Sequence, residues 1–198
     1  SDAVDAYDPS LTRSTPTALS VARHHLAGAS VGNYALFAGG QHGSSSYSDA
    51  VDAYDTSLTR STPTALSVAR HRLAGASVGN HVLFAGGEYV SSYSDAVDAY
   101  DTSLTRSTPT ALSVARRELA GTSVGNYVLF AGGAGSEPTY KDTVDAYDTS
   151  LTRSTPTALS VGRSLLAGAS VGNYALFAGG YGSSSPDYQD TVDAYAPP

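Results

Sequence analysis

A twenty-residue segment, VDAYDPSLTRSTPTALSVAR at Val4–Arg23, returns almost unchanged at Val51, Val97 and Val144, and a fifth VDAY begins at Val192. The copies start 46 to 48 residues apart, and 18 of the 20 positions are identical in the four long copies. A repeat of this length is one supersecondary unit, which buries its apolar surface by stacking on its neighbours. The sequence therefore predicts a single repeat domain, and it constrains the architecture more than the activity.

Composition excludes several classes of partner. The net charge is −7 and the basic residues are scattered along the repeats, which is unsuited to nucleic acid or to an anionic membrane surface. No apolar run approaches the roughly 20 residues that cross a bilayer, so we expect no membrane insertion. The absence of Cys excludes disulfides and thiolate metal sites. Because Met is also absent, we expect a piece processed or excised from a longer chain. The sequence does not assign a compartment, and we favour an extracellular or cell-surface location.

Each repeat predicts four short strands, which we call A, B, C and D. In the second copy, apolar segments at 73–78 and 81–85 flank Gly79-Asn80, a dipeptide typical of a type I′ hairpin with positive φ at both turn positions. A β-branched and aromatic segment follows at 95–100. A fourth strand at 104–108 ends at Pro109, which cannot donate a ladder hydrogen bond. Four short strands in each period are typical of a β-propeller blade.

Three further features resemble the kelch repeat. A diglycine ends each B strand, at Gly39-Gly40, Gly86-Gly87, Gly132-Gly133 and Gly179-Gly180. Tyr-Asp ends the C strands, at Tyr54-Asp55, Tyr100-Asp101 and Tyr147-Asp148, whereas Tyr195 has no Asp after it. An arginine precedes each A strand, at Arg23, Arg70, Arg116 and Arg163. The resemblance covers the whole chain and implies an all-β propeller of four-stranded antiparallel blades, four per chain.

Two positions depart from the kelch pattern. The tyrosine expected three residues before the diglycine is a leucine, at Leu36, Leu83, Leu129 and Leu176. The tryptophan expected at the start of the D strand is an arginine, at Arg13, Arg60, Arg106 and Arg153. Some kelch proteins are copper radical oxidases, a chemistry that needs a Tyr linked to a Cys, and this chain has no Cys. We expect no enzymatic activity and no cofactor, because near-identical repeats offer no asymmetric pocket in which acid and base roles could be separated.

The strand count leaves the closure of the ring open. The chain holds one predicted C strand more than four blades need, either near Val4 or near Val192. We expect blades at about 21–67, 68–113 and 114–160, and a composite blade from 161–195 and 1–20, which would hide the sheet edges. The alternative is that two chains form one eight-bladed ring. The protein is accordingly expected to be a monomer or a homodimer.

Two short stretches differ in every repeat. One is the residue pair before strand A, and the other is the loop between strands B and C. The pairs are His24-His25, His71-Arg72, Arg117-Glu118 and Ser164-Leu165, and the loops are Gln41–Ser46, Glu88–Ser92, Ala134–Thr139 and Tyr181–Asp187. In an antiparallel blade the D–A and B–C connections lie at the same end, so we expect one variable face. Drift in tolerant loops and selection for binding both explain the variation, and the near-constant turns at the opposite end favour binding.

We therefore expect a non-catalytic module that binds protein or glycan through the variable face. Tyr89 and Tyr181 are the expected anchors, because Tyr gives amphipathic contact area at low entropy cost. The residues expected to set specificity are His24, His42, His71, Arg72, Glu88, Arg117 and Glu118. The alternative is a structural or spacer array, or an excised or engineered propeller fragment, with no ligand of its own.

Other repeated residues have an expected structural role. Aspartates recur three positions apart, which alternates faces on a strand and does not match a calcium loop. The middle one (Asp5, Asp52, Asp98 or Asp145) is predicted to accept hydrogen bonds between blades from Arg23, Arg70, Arg116 or Arg163. The diglycines, such as Gly86-Gly87, are expected to allow positive φ or close backbone approach. Four of the five histidines (His24, His25, His42 and His71) map to the variable face, but no ligand pattern repeats and we expect no metal site.

Overall fold

The structure, a computed structural model, describes residues 1–44, 46–90, 92–137, 139–183 and 187–197. That part of the chain is all-β and contains no helix. A helix long and apolar enough to span a membrane is accordingly not found among these residues.

The described residues form twenty-one strands. In chain order they are β1 (Ala6–Tyr7), β2 (Arg13–Ser14), β3 (Ala27–Val31), β4 (Tyr34–Ala38), β5 (Gln41–His42), β6 (Ser46–Tyr47), β7 (Val51–Tyr54), β8 (Arg60–Ser61), β9 (Ala74–Val78), β10 (His81–Ala85), β11 (Glu88–Tyr89), β12 (Ser92–Tyr93), β13 (Val97–Asp101), β14 (Arg106–Ser107), β15 (Ala120–Val124), β16 (Tyr127–Ala131), β17 (Val144–Asp148), β18 (Arg153–Ser154), β19 (Ala167–Val171), β20 (Tyr174–Ala178) and β21 (Val192–Tyr195).

These strands form a repeated set of antiparallel sheets. Sheet 1 (β3-β4-β7-β8), sheet 2 (β9-β10-β13-β14) and sheet 3 (β15-β16-β17-β18) each have four strands in chain order, as strands A to D of the repeat predict. Sheet 4 (β19-β20-β21) has three strands, and β1 pairs with β2 alone. Two small ribbons, β5-β6 and β11-β12, lie in the B–C loops and were not predicted.

The A–B hairpins have a different turn from the one predicted. Val78 pairs with His81 across Gly79-Asn80, so the loop has two residues, as expected. Gly79 has φ 53°, but Asn80 is not among the residues with positive φ. A single positive φ, at a first-position glycine, is the φ pattern of a type II′ turn, so the prediction of type I′ is wrong.

The C–D turns are held by an aspartate and contain a strained leucine. In sheet 2 the Asp101 Oδ1 accepts the backbone N–H groups of Ser103 and Thr105, at 2.8 and 3.0 Å. Leu104 has φ 63°, a region that favours glycine because of the Cβ contact. Its side chain packs against the core between sheets 1 and 2, and this contact offsets the strain.

Neighbouring sheets pack face to face in chain order. The A strands β3, β9, β15 and β19 lie side by side in succession. Between sheets 1 and 2 the core joins Val31 and Leu36 to Val82, Phe84 and Tyr100. We call each such contact between successive sheets a junction.

The diglycine is located where two sheets meet. Gly86 has φ 68°, and a Cβ there would lie 2.6 Å from the carbonyl oxygen of Arg116, which belongs to the connection leading to sheet 3. The Gly87 N–H donates to this same oxygen at 2.9 Å. Only a residue without Cβ fits this approach, so the diglycine is needed for the junction.

The composite fourth sheet predicted from 161–195 and 1–20 is not formed. β21 supplies the C strand beside β20, but β2 does not pair with the free edge of β21, because β2 stays paired with β1 beside sheet 1. There the Ser1 and Asp2 carbonyl oxygens accept N–H groups of Arg23 and Leu19. The described residues therefore form an open series of four sheets, with sheets 1 and 4 at its ends.

Candidate functional site

The two variable stretches of each repeat are hydrogen-bonded to each other. His71 and Glu88 exchange backbone hydrogen bonds of 3.1 and 2.9 Å, because the D–A and B–C connections run antiparallel at this point. The same bridge joins His24 to Gln41, Arg117 to Ala134 and Ser164 to Tyr181. The described residues of the variable stretches thus share one end of the sheets, which we call the loop face. Within its loops, Ser45, Ser91, Pro138 and 184–186 lie outside the described residues.

The second residue of each variable pair has an unusual backbone conformation. His25, Arg72, Glu118 and Leu165 have φ between 54° and 57°. Each conformation is held by the neighbouring sheet: the N–H of Arg72 donates to the His25 oxygen at 2.9 Å, and that of Glu118 to the Arg72 oxygen at 2.9 Å. The left-handed conformation costs a non-glycine residue about 1–2 kcal/mol. Four different side chains are therefore retained at a position where glycine would be easier to accommodate.

These four residues surround one shared cleft. The cleft has a volume of about 440 Å³ and is lined by His25, Arg72, Glu118 and Leu165 with Leu26, Leu73 and Leu119 behind them. The leucines belong to the constant framework, and the residues at the mouth differ from sheet to sheet. The cleft thus combines an apolar floor with a varied rim, an arrangement typical of ligand sites.

A charged cluster lies beside this cleft, between sheets 2 and 3. Glu88 accepts a hydrogen bond from the Arg117 guanidinium and lies 3.7 Å from His71 Nε2 and 3.8 Å from Arg72. Arg72 also pairs with Glu118 at 2.9 Å, and the Arg117 guanidinium lies 5.5 Å from the centre of the Tyr93 ring. The two acids and two arginines neutralise one another while remaining partly exposed.

Burial and charge shift the titration of this cluster. Burial lowers the pKa of His71 below its usual 6.5, and the nearby Arg72 and Arg117 act in the same direction against Glu88. Burial also disfavours the charged form of Arg117, but the hydrogen bond to Glu88 and the attraction of Glu88 and Glu118 together outweigh it, and the pKa of Arg117 is raised. His71 is consequently neutral at pH 7 and stacks on Tyr47, with the ring centres 4.8 Å apart.

The second predicted anchor lies in an aromatic group. Tyr181 makes edge contacts with Tyr140 and Tyr188, at 5.6 Å between ring centres in each case. Tyr188 is 80% exposed. The sequence indicated Tyr181 but not its two neighbours, although a Tyr recurs four residues before the C strand of each sheet from 1 to 4, at Tyr47, Tyr93, Tyr140 and Tyr188. This recurrence was the signal that could have identified them.

The remaining predicted residues of the loop face are more dispersed. Tyr89 is 37% exposed on β11 and is not part of the Tyr181 group. His42 is exposed on β5. His24 contacts His25, with ring centres 4.6 Å apart. Besides these dispersed residues, the loop face contains three groups: the cleft, the charged cluster and the tyrosines.

Buried ion pairs hold the framework below the loop face. Arg23, Arg70 and Arg116 pair with Asp52, Asp98 and Asp145 at 2.8 Å, and both side chains of each pair are fully buried. The fourth pair, Arg163 and Asp193, has the same distance, but the Asp193 side chain is 17% exposed. The pairing expected from the repeated spacing is present for the three middle aspartates on β7, β13 and β17. Asp5 instead lies on the exposed surface, 3.6 Å from Arg13.

The Arg70–Asp98 pair makes several further hydrogen bonds to its surroundings. The Arg70 guanidinium also donates to the Phe84 and Gly86 oxygens, at 3.0 and 2.9 Å, while Asp98 accepts from the Ser67 N–H and hydroxyl at 3.0 Å. Burial lowers the pKa of Arg70, against the attraction of Asp98. These groups bind one another and present nothing to a ligand.

No set of three or more His, Asp or Glu side chains in the described residues is arranged to hold a metal ion. His81, the one histidine away from the variable stretches, lies at the opposite end of sheet 2, where it pairs with Asp101.

Neither the comparison with protein-family models nor the search of curated proteins gives a match to this chain. The kelch resemblance therefore depends on the residues of the repeat. The four-stranded antiparallel sheets agree with a repeated β-structure, and the kelch assignment stays a prediction.

Proposed function

We propose that this chain is a kelch-like propeller module that binds a partner through the loop face and catalyses no reaction. One observation carries the proposal: four different side chains, on strained backbone, surround a single cleft on an otherwise near-identical framework. Backbone strain of this kind is found at binding and active sites, where the surrounding structure holds it in place. Variation that includes such positions and is concentrated at one end of the sheets is more consistent with selection for binding than with drift.

The chemistry of the loop face favours a protein partner over a glycan. Arg72, Arg117, Glu88 and Glu118 offer both signs of charge, partly desolvated, next to tyrosines. Mixed charge with Tyr and Arg is typical of protein interfaces. A glycan would depend chiefly on stacking, for which Tyr181 and Tyr188 are placed.

The proposal is tested by selecting binders to the immobilised chain from a displayed peptide library and, in parallel, from a glycan array. We expect peptide binders whose affinity falls at least tenfold in the double variant Tyr89→Ala, Tyr181→Ala, because each Tyr is a partly exposed anchor. Thr56→Ala, in an exposed turn at the opposite end, is the matched control. Binding that is equal in both variants would remove the tyrosines from the site, and binding to glycans alone would reassign the partner.

A second candidate is a structural or spacer role. It is favoured by the near-identity of the copies and by the open ends of the series, which offer surfaces for further repeats. A folded chain that yields no binder in either selection would favour this role.

A further inference from the structure

The outer face of sheet 4 exposes residues that the other sheets bury. Val171 is 63% exposed, whereas its equivalents Val31, Val78 and Val124 are at most 5% exposed. Val192 is 59% exposed, although its equivalents in sheets 1 to 3 are nearly inaccessible. Each equivalent is covered by the next sheet along the chain. The outer face of sheet 4 therefore carries the apolar residues of a junction, but no further sheet covers them.

The outer face of sheet 1 is the other half of the same junction. Phe37 is half-buried and Ala35 is exposed. Their equivalents in sheet 2, Phe84 and Val82, are fully buried against sheet 1. A cleft of about 470 Å³ runs beside Phe37. The two ends of the series are thus complementary, since every internal junction joins a surface like that of sheet 4 to one like that of sheet 1.

The two ends of the series also differ in a leucine contact: one end has an exposed leucine, and the other has an empty cleft of the kind that such a leucine fills in the internal junctions. Leu104 packs into the core between sheets 1 and 2, and Leu151 into the core between sheets 2 and 3. The corresponding place between sheets 3 and 4 is a cleft of about 370 Å³, lined by Val124, Leu129 and Tyr195 among others. Leu11, the equivalent leucine of the N-terminal hairpin β1-β2, is 80% exposed.

We propose that a second copy of this chain docks on sheet 4, with its β2 added to β21 as the missing fourth strand. The pairing of β7 with β8, in which Ala53 lies opposite Ser61, is the template. It places Ala194 of one copy opposite Ser14 of the other. Leu11 of the second copy then fills the cleft between sheets 3 and 4. Because each copy has both surfaces, two copies close a ring through two identical junctions and leave no end exposed.

The internal junctions favour a second copy over closure of one chain on itself. They repeat the same hydrogen bonds: the N–H of Gly40, Gly87 and Gly133 donates to the oxygen of the arginine that leads to the next sheet, at 2.8 to 2.9 Å. After three such junctions β19 and β3 form no extensive contact in the described residues, and Val171 on β19 stays exposed. Self-closure would require the geometry of these junctions to change, whereas a second copy leaves all of them as they are.

β1 is the strand that this docking displaces. The Arg23 N–H donates to the Ser1 oxygen. This hydrogen bond is equivalent to the one from the Arg70 N–H to the oxygen of Ser48, which belongs to the preceding repeat. β1 also pairs with β2 at two positions only, and Tyr7 is 64% exposed. Residues 1–10 therefore occupy the place that a preceding repeat has elsewhere in the chain. In the proposed dimer, β21 of the other copy takes that place.

The first test measures the mass of the 198-residue chain by light scattering across a concentration series. We expect a species of twice the 20.2 kDa of one chain, and a shift to 20.2 kDa in the variant Val171→Lys, Val192→Lys. Both valines are already exposed, so folding should be retained, and Val90→Lys in an exposed loop is the matched control. A 20.2 kDa species at every concentration, or masses that grow without limit, would overturn the proposal. So would a dimer unaffected by the two lysines.

The second test places cysteines at the predicted register, in a chain that has none of its own. The variant Ser14→Cys, Ala194→Cys should oxidise to a species of two linked chains. Its control, Ala53→Cys, Ser61→Cys, shares that register within one chain and should stay at 20.2 kDa. A disulfide within one chain at positions 14 and 194 would show self-closure and contradict the proposal, and so would a failure to oxidise when the control does.

Removal of residues 1–10 separates displacement of β1 from other modes of association. Because these residues compete with the second copy, the shortened chain should dissociate at a lower concentration than the full chain. Weaker association after the deletion would show that β1 takes part in the contact, and the displacement would be wrong.

Discussion

Both ends of the sheets have a non-glycine residue with positive φ, but its side chain is constant at one end and variable at the other. At the C–D turns the residue with positive φ is a leucine in every copy, at Leu11, Leu58, Leu104 and Leu151. At the loop face it is different each time, at His25, Arg72, Glu118 and Leu165. In the internal copies the turn leucine packs on a neighbouring sheet, which fixes its identity. At the loop face the neighbouring sheet holds the backbone alone, so the side chain remains available for a ligand.

This comparison predicts that two arginines two positions apart differ widely in their effect on stability. Arg70→Ala leaves the Asp98 carboxylate buried without its counter-ion and should lower the free energy of unfolding by about 3–5 kcal/mol. Arg72→Ala removes a partly exposed pair with Glu118 and should cost about 1 kcal/mol or less. Urea unfolding of both variants measures the difference. Equal costs would mean that framework and loop face are not distinguished by burial.

A second prediction compares two leucines with nearly the same φ. Leu104→Gly relieves strain but loses packing against the core, and should lower the free energy of unfolding by about 1–2 kcal/mol. Leu165 is 66% exposed, so Leu165→Gly should be neutral or stabilise by up to about 1 kcal/mol as the strain is released. Thermal and urea unfolding measure both. A loss at Leu165 as large as that at Leu104 would contradict a loop face free of packing constraints.

The smallest effect concerns pH. His71 has a lowered pKa in the folded chain, so below about pH 6.5 the unfolded chain binds more protons than the folded one. Its contribution to stability is fully present above that pH and is lost as the pH falls toward the folded pKa. The Tm should decrease by a few °C more on acidification in the parent chain than in His71→Gln. His42→Gln, an exposed change on the same face, is the matched control.

The sequence predicted the strands well where local chemistry determines them. Gly79-Asn80 located the A–B hairpin of the second copy, and the prediction of 81–85 for strand B coincides with β10. The type of turn was missed because Gly-Asn supports more than one two-residue turn. The positive φ of Leu104 was missed because the reason for it lies on the neighbouring sheet, which the repeat itself does not show.

The site was predicted in its location but not in its composition. Antiparallel topology was enough to bring the two variable stretches to one end, where they are bridged. The cleft shared by His25, Arg72, Glu118 and Leu165 could not be anticipated, since it arises from the way successive sheets meet. His25 and Leu165 were absent from the expected site for this reason. Which C strand is surplus depends equally on the geometry between sheets, because Val4 and Val192 begin the same four residues, VDAY.

The buried arginine–aspartate pairs also complicate the folding search. Arg70 meets Asp98, but Asp52 and Asp145 are in almost identical sequences and offer the same partner to an unfolded chain. Pairing of Arg70 with the aspartate of another repeat, in the same chain or in another, would neutralise both charges. The resulting stack of sheets would omit a repeat or contain an extra one. Misassembly of this kind is a characteristic failure of repeat proteins and becomes more frequent at high concentration. A feature that holds the finished framework together is therefore also the one that makes its assembly ambiguous.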